Sequence, residues 1–281
     1  MSQERPPLPE PLTVEVADTH CHLDLAPGED GDGALSVERA LELAASVGVP
    51  RIVQIGCDLA GARWAVATAH EHPSIVAGVS LHPNEAPRLA ANGPTALDEA
   101  LAEIDRLAAT DRVRAVGETG LDYYRTGDDG RAVQHASFRA HIEMAKRHAK
   151  ALVIHDRDAH EDVLAVLADA GPPDRVVFHC FSGDVEMARE CVKAGYWLSF
   201  AGTVTFKNAA GLRTALAVAP LDRLLVETDA PFLTPMPYRG RPNASYLVPH
   251  TLRAMAAVKQ VPVEELAAAV AANTTAAFDP W

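Results

Sequence analysis

Eight short runs rich in apolar and β-branched residues punctuate the chain. They lie at Val14–Thr19, Arg51–Gly56, Ile75–Ser80, Val113–Glu118, Leu152–His155, Arg175–Cys180, Tyr196–Phe200 and Arg223–Thr228. Most are continuous rather than alternating, as strands read when a parallel sheet is covered on both faces. The stretches between them place apolar residues at helical spacing. SVERALELAASVG opens on Ser36 as an N-cap and stops at Gly48 before Pro50, and the tail from Val248 reads as two helices broken near Pro262. Eight strand–helix alternations in 281 residues predict an α/β chain folded as one (β/α)8 TIM barrel over residues 14–281, with an open doubly wound sheet as the other topology of this pattern. Residues 1–13, MSQERPPLPEPLT, are proline-rich and read as a mobile leader.

Charge and cysteine usage narrow the functional classes. A formal net charge of −13 leaves no broad basic face for gripping duplex nucleic acid. It still permits a phosphate substrate, because bound divalent cations reverse the local field. The four cysteines are scattered without zinc-knuckle spacing and read as reduced thiols. No run reaches the length of a membrane span and no secretory signal opens the chain, so a cytoplasmic location is expected.

Active sites of this barrel class gather where the strands end. Strand one closes with VADTHCHLD, strand four with AVGETGLDYY, strand five with LVIHDRDAH, strand six with VVFHCFSG and strand eight with LLVETDAPFL. His20, His22, Glu118, His155, His179 and Asp229 therefore fall at equivalent places. With 12 histidines in the chain, chance alone supplies roughly half of one His-x-His triplet, so the triplet by itself says little. Position decides: residues i and i+2 of a strand share a face, so His20 and His22 can converge on one ion. The second triplet, His70 and His72, sits at a helix end and is read as noise. His155 and His179 would hold a second ion and Glu118 would bridge the two.

Such a pair of ions suits hydrolysis at phosphorus or at a carbonyl, with Asp229 orienting the attacking water and accepting its proton. Mixed imidazole and carboxylate donors suit Zn²⁺, Mn²⁺ or Fe²⁺ better than Mg²⁺. Asp18, Asp24 and Thr228 are candidates to orient the ligands. Ser182 and Gly183, Thr203 and Thr205, and Arg239 and Arg241 are donors suited to phosphate. Tyr123, Tyr124, Phe181 and Phe206 are candidates to stack a base. Asp122, Arg157 and Asp158 read equally as loop-holding ion pairs or as substrate contacts.

The motifs DTHCHLD, LHP, GETGLDYY, IHDRDA, HCFSG, GTVTFKNA, VETDAPFL, RGRPN and the closing NT, in that order, resemble the TatD-type metal-dependent deoxyribonucleases from Asp18 to Phe278. The resemblance implies a (β/α)8 hydrolase with two divalent metals and 3′–5′ exonuclease or general DNase activity, often on single-stranded or damaged DNA. Glu118 and Asp229 are read as the catalytic carboxylates; the resemblance places the six residues above as metal ligands and puts His82 and the Arg239–Asn243 loop near the substrate. It also implies a cytoplasmic enzyme, expected as a monomer, with no obligate protein partner. His141 stands where glutamine is common in that family. The competing reading is a hydrolase of the same superfamily acting on an amide, lactone or aminoacyl ester. Those enzymes often bridge their metals with a carboxylated lysine on strand four, where this chain has Glu118.

Overall fold

The computed structural model describes residues 4–25 and 35–280. Its strands are β1 (Ala17–Cys21), β2 (Arg51–Gly56), β3 (Ile75–Val79), β4 (Val113–Asp122), β5 (Ala151–Arg157), β6 (Val176–Phe178), β7 (Trp197–Phe200) and β8 (Leu224–Val226). They form one sheet whose hydrogen-bonded order follows the chain from β1 to β8. The described pairings are parallel. The segment after β8 returns to β1 through a bridge between Cys21 and Ala230. This is the (β/α)8 barrel class.

Ten α-helices occur among the described residues: α1 (Val37–Ser46), α2 (Leu59–Glu71), α3 (Glu85–Ala90), α4 (Ala96–Ala108), α5 (Asp128–His148), α6 (His160–Ala170), α7 (Val185–Lys193), α8 (Ala210–Val218), α9 (Val248–Lys259) and α10 (Val263–Phe278). Their starts follow local chemistry. Ser36 accepts the Arg39 N–H at 3.2 Å, Asp58 that of Gly61 at 2.7 Å and Asp184 that of Met187 at 2.9 Å, each satisfying a donor that the first helical turn leaves unpaired. None of the described helices is long and apolar enough to cross a membrane.

Internal contacts divide the chain into two compact units. Among the described residues the first comprises 4–25, 35–54 and 183–276 with Pro280, and the second 55–182 with 277–279. In the first unit every residue of β1, β7 and β8 is buried, as continuous apolar runs require. In the second, α2 buries Gly61, Ala62, Ala65, Thr68 and Ala69, a small-residue stripe at helical spacing.

The leader departs from expectation. Its first three residues lie outside the described residues, but residues 4–13 are anchored within the first unit. The Leu12 N–H donates to Val47 O at 3.0 Å, the Tyr246 hydroxyl donates to Pro6 O at 2.7 Å, and Arg253 donates to Glu10 O at 2.7 Å. Leu12 is buried. Prolines favour extended backbone with outward carbonyls, and the side chains of Tyr246 and Arg253 donate to them.

Candidate metal centre

In the first unit, the site grows from β1 and the turn after β8. The Asp229 N–H donates to His20 O at 2.9 Å and the His22 N–H to Ala230 O at 2.8 Å, which fixes the two segments side by side. Asp229 adopts φ 54°, a left-handed conformation that aspartate tolerates better than most residues. Its Oδ1 then lies 3.8 Å from His20 Nε2 and 3.4 Å from His22 Nε2. These spacings are long for hydrogen bonds. They approach the roughly 3.3 Å that separates two donors each about 2.0–2.1 Å from a tetrahedral ion. The donor set fits a divalent metal.

Asp18 braces this arrangement. Its carboxylate accepts the Thr228 N–H at 2.9 Å, the Thr228 hydroxyl at 2.5 Å and the His20 N–H at 3.4 Å. Burial pushes its pKa up to about 6, against the hydrogen bonds from Thr228 and Ser245 that favour the carboxylate. Asp24 accepts from Gln54 Nε2 at 2.7 Å, which ties down the turn after His22.

In the second unit, Glu118 sits inside β4 rather than at its end. Gly117 (φ 147°) and Gly120 (φ 137°) flank it, and a Cβ at either would collide with the backbone of Val153 or His155. Glycine alone lets β4 approach β5 this closely. Gly120 is in register with His155, and Glu118 Oε2 meets His155 Nδ1 at 3.0 Å and His179 Nε2 at 2.7 Å. Those two nitrogens are 3.4 Å apart, again a spacing that suits two ligands on one ion. Burial alone would raise the Glu118 pKa. His179 and His82, with hydrogen bonds from His155 and His179, hold it well below the usual carboxylate range.

Asp122 lies four residues beyond Glu118. Its Oδ2 faces His155 Nε2 at 3.3 Å and accepts Asn84 Nδ2 at 2.9 Å. Asp122 faces Nε2, so a neutral His155 that had given up the Nδ1 proton held toward Glu118 would keep its proton toward Asp122 and ligate through Nδ1. Buried Gln134 donates to Thr126 Oγ1 at 2.8 Å and accepts the Asp122 N–H at 3.0 Å, fixing the loop after β4. The Cys57 thiol reaches Glu118 Oε1 at 3.2 Å. Even spacing from Glu118 marks Asp122 as sharing its strand face; nothing in the sequence marks Asn84, Gln134 or Cys57.

His82 stands with this second set. Ligand atoms of His82, Glu118 and His155 lie within 4.8 Å of one another. The His82 Nδ1 accepts the Asn84 N–H at 3.1 Å, so its Nε2 carries the proton. Burial lowers its pKa to about 4, outweighing attraction from Glu118, and keeps the imidazole neutral.

The other expected substrate contacts fare unevenly. Tyr123 is not an open stacking surface: Arg131 covers its ring at 4.1 Å, His135 stacks at 6.3 Å, and its hydroxyl meets His135 at 2.6 Å and Asp162 at 2.5 Å. The next residue, Tyr124, is 65% exposed, with the Arg157 guanidinium 3.9 Å above its ring. Asn243 is buried and its amide is spent on Thr228 O and Phe232 O, bracing the loop around Asp229 instead of facing a substrate. Arg239 lies 4.3 Å over Phe206 and is exposed, while the Ser182 hydroxyl leans on Asp156 O at 3.3 Å. Thr205 is committed to Gly202 O and Met236 N.

Buried imidazoles and carboxylates brought to strand ends of a (β/α)8 chain define a metal-dependent hydrolase. The model of the family described as TatD related DNase matches residues 17–279, and the chain belongs to that family. It is 45% identical over 267 residues to the metal-dependent hydrolase TatD of Mycobacterium tuberculosis, covering 94% of this chain and 97% of that relative. It is 38% identical over 265 residues to the metal-dependent hydrolase YcfH of Escherichia coli K12, covering 94% and 95%. Among solved structures, the TatD homologue YJJV of Escherichia coli K12 superposes with a TM-score of 0.83 at 29% identity, over 95% of this chain and 98% of that one.

Proposed function

We propose that this protein cleaves phosphodiester bonds in DNA, as a 3′–5′ exonuclease or DNase acting on single-stranded regions and ends. His20, His22, Glu118, His155, His179 and Asp229 are the proposed ligands, and two divalent ions the proposed complement. Bound there, such ions would supply water activation and neutralise charge at phosphorus. In this reading Asp229 orients the attacking water and accepts its proton. His82, held neutral with its proton on Nε2, donates to a non-bridging phosphate oxygen. Asp122 keeps His155 in the tautomer that ligates through Nδ1. The observation that carries the proposal is Glu118 gripped by His155 and His179 in a member of the TatD related DNase family. A glutamate there, instead of a carboxylated lysine, favours phosphorus over carbonyl chemistry.

Purified protein loaded with Mn²⁺ or Mg²⁺ should shorten 3′-labelled single-stranded DNA, and Glu118→Ala should stop it. Equal activity in that variant rejects the assignment. Turnover of an amide, lactone or aminoacyl ester with none on DNA would replace it by the carbonyl reading. The proposal includes a cytoplasmic monomer with no obligate protein partner, a state that light scattering at working concentration checks.

A further inference from the structure

In the second unit, most arginines are neutralised. On α5, Arg131 pairs with Asp128 at 3.1 Å, Arg139 with Asp169 at 2.6 Å and Arg147 with Asp105 at 2.6 Å. Arg88 pairs with Glu85 at 2.8 Å. Arg112 and Arg114 spend their guanidinium groups on main-chain carbonyls, whereas Arg125 and Arg157 have neither a carboxylate nor a carbonyl partner for their guanidinium groups among the described residues. Both lie close to site residues in the chain: Arg125 three positions after Asp122, which ends β4, and Arg157 two positions after His155, at the end of β5. The Arg157 guanidinium carbon lies 3.9 Å from the ring centroid of exposed Tyr124, a cation–π contact.

Arg125 lines a cavity of about 630 Å³ together with Asn84, Pro87, Arg88, Thr126 and Asp129. That volume is in the range of small-ligand sites. The cavity is tied to the metal set by a short chain of bonds. The Arg125 main-chain N–H donates to Asp122 Oδ1 at 2.9 Å, and Asp122 Oδ2 is 3.3 Å from His155 Nε2. None of the six proposed ligands lines this cavity, so an anion held there by Arg125 is a different anion from one reacting at Glu118.

We infer that the Arg125 cavity is a second phosphate subsite, which takes the phosphodiester neighbouring the scissile one. The inference rests on the proposed phosphodiesterase reading and deepens it: the substrate is a strand with at least two successive phosphates, not an isolated diester. An unpaired guanidinium reads charge on a backbone without reading sequence. Tyr124 under Arg157 offers the adjacent exposed plane for an unstacked base.

Steady-state kinetics of the Mn²⁺-loaded protein on a single-stranded oligonucleotide and on bis(p-nitrophenyl) phosphate, which has one phosphate, test this. For Arg125→Ala, KM for the oligonucleotide should rise about tenfold more than KM for the small diester, the scale of one lost charged hydrogen bond. Arg125→Lys should recover most of that difference, because a phosphate contact needs charge more than fork geometry. Anisotropy of a labelled oligonucleotide on metal-free protein supplies an activity-independent arm: Arg125→Ala should flatten the log–log salt slope by about 0.7. Arg139→Ala, which breaks a surface ion pair on α5, is the control for charge removal alone. Equal shifts on both substrates with an unchanged salt slope, or no shift on either, overturn the subsite while leaving the phosphodiesterase reading intact. If wild type cleaves neither substrate with any metal, that reading fails, and the anisotropy arm still decides the subsite.

Discussion

The carboxylate of the first unit and that of the second are held in different ways. Asp229 meets its two imidazoles at 3.8 and 3.4 Å, spacings already suited to an ion between them. Glu118 meets His155 and His179 at 3.0 and 2.7 Å, hydrogen-bonded and shut. Behind Glu118 stands a layer of polar side chains, Asp122, Asn84 and Gln134, that locks the ring of His155. Behind Asp229 the side chains of Asp18 and Asn243 hold the main chain instead: Asp18 accepts the Thr228 and His20 N–H groups, Asn243 clasps the loop carbonyls, and the Asp229 N–H donates to His20 O. The second unit's set must therefore shed protons before it can ligate, whereas the first is pre-spaced. Metal affinity should fall more steeply with acid in the second unit.

The largest effects should come from the two carboxylates themselves. Glu118→Gln and Asp229→Asn should each lower turnover about a thousandfold or more. Metal analysis should then show a different ion lost in each variant; loss of all metal from both would erase the distinction. Next in size is acid stability. His141 is fully buried, its Nε2 accepting the Leu81 N–H at 3.0 Å and its Nδ1 donating to Ser137 O at 2.7 Å. Burial lowers its pKa from 6.5 to about 4, against the Ser137 bond. The folded protein thus takes up this proton later than the unfolded chain. The associated stability is complete above pH 6.5 and drains as pH falls toward 4. By that linkage wild type should lose about 2 kcal/mol near pH 5 relative to neutral pH, and His141→Gln, whose amide can make both bonds, should not. Denaturant melts across pH measure it, and parallel curves would sink the idea.

A smaller effect is expected when the support for His155 is removed. Asp122→Asn should weaken metal binding roughly 10- to 100-fold, the usual scale for a lost partner of a ligating histidine. The smallest should follow Thr228→Val, which strips one donor from the buried Asp18 carboxylate. A cost of about 1–3 kcal/mol in thermal unfolding is expected, with the second unit's metal affinity unmoved. A loss of affinity there would blur the contrast between the two centres.

Much of this is legible in the amino-acid sequence. The eight runs announced the strands because parallel strands buried on both faces are continuously apolar, and β2 was bounded correctly at Arg51–Gly56. β4 extends four residues past the predicted end, to Asp122, because its glycines admit the neighbouring strand and polar residues can then line a site. The expected ligands stand out in sequence because each lies at or near a strand end. Side-chain direction was harder to read. Tyr123 and Tyr124 are chemically near-equal neighbours whose side chains diverge, and only the folded loop shows which is enclosed by Arg131 and His135. Asn243 shows the same limit, since an amide that braces carbonyls looks no different in sequence from one awaiting a substrate.

The anchored leader has a consequence for how this chain varies over time. Tyr246 and Arg253 grip main-chain oxygens of Pro6, Glu10 and Pro11, and no side chain of those three takes part in these bonds. Selection would then act on the segment's reach and extended shape while its letters drift. Closely related chains should differ freely there in spelling and hardly at all in length.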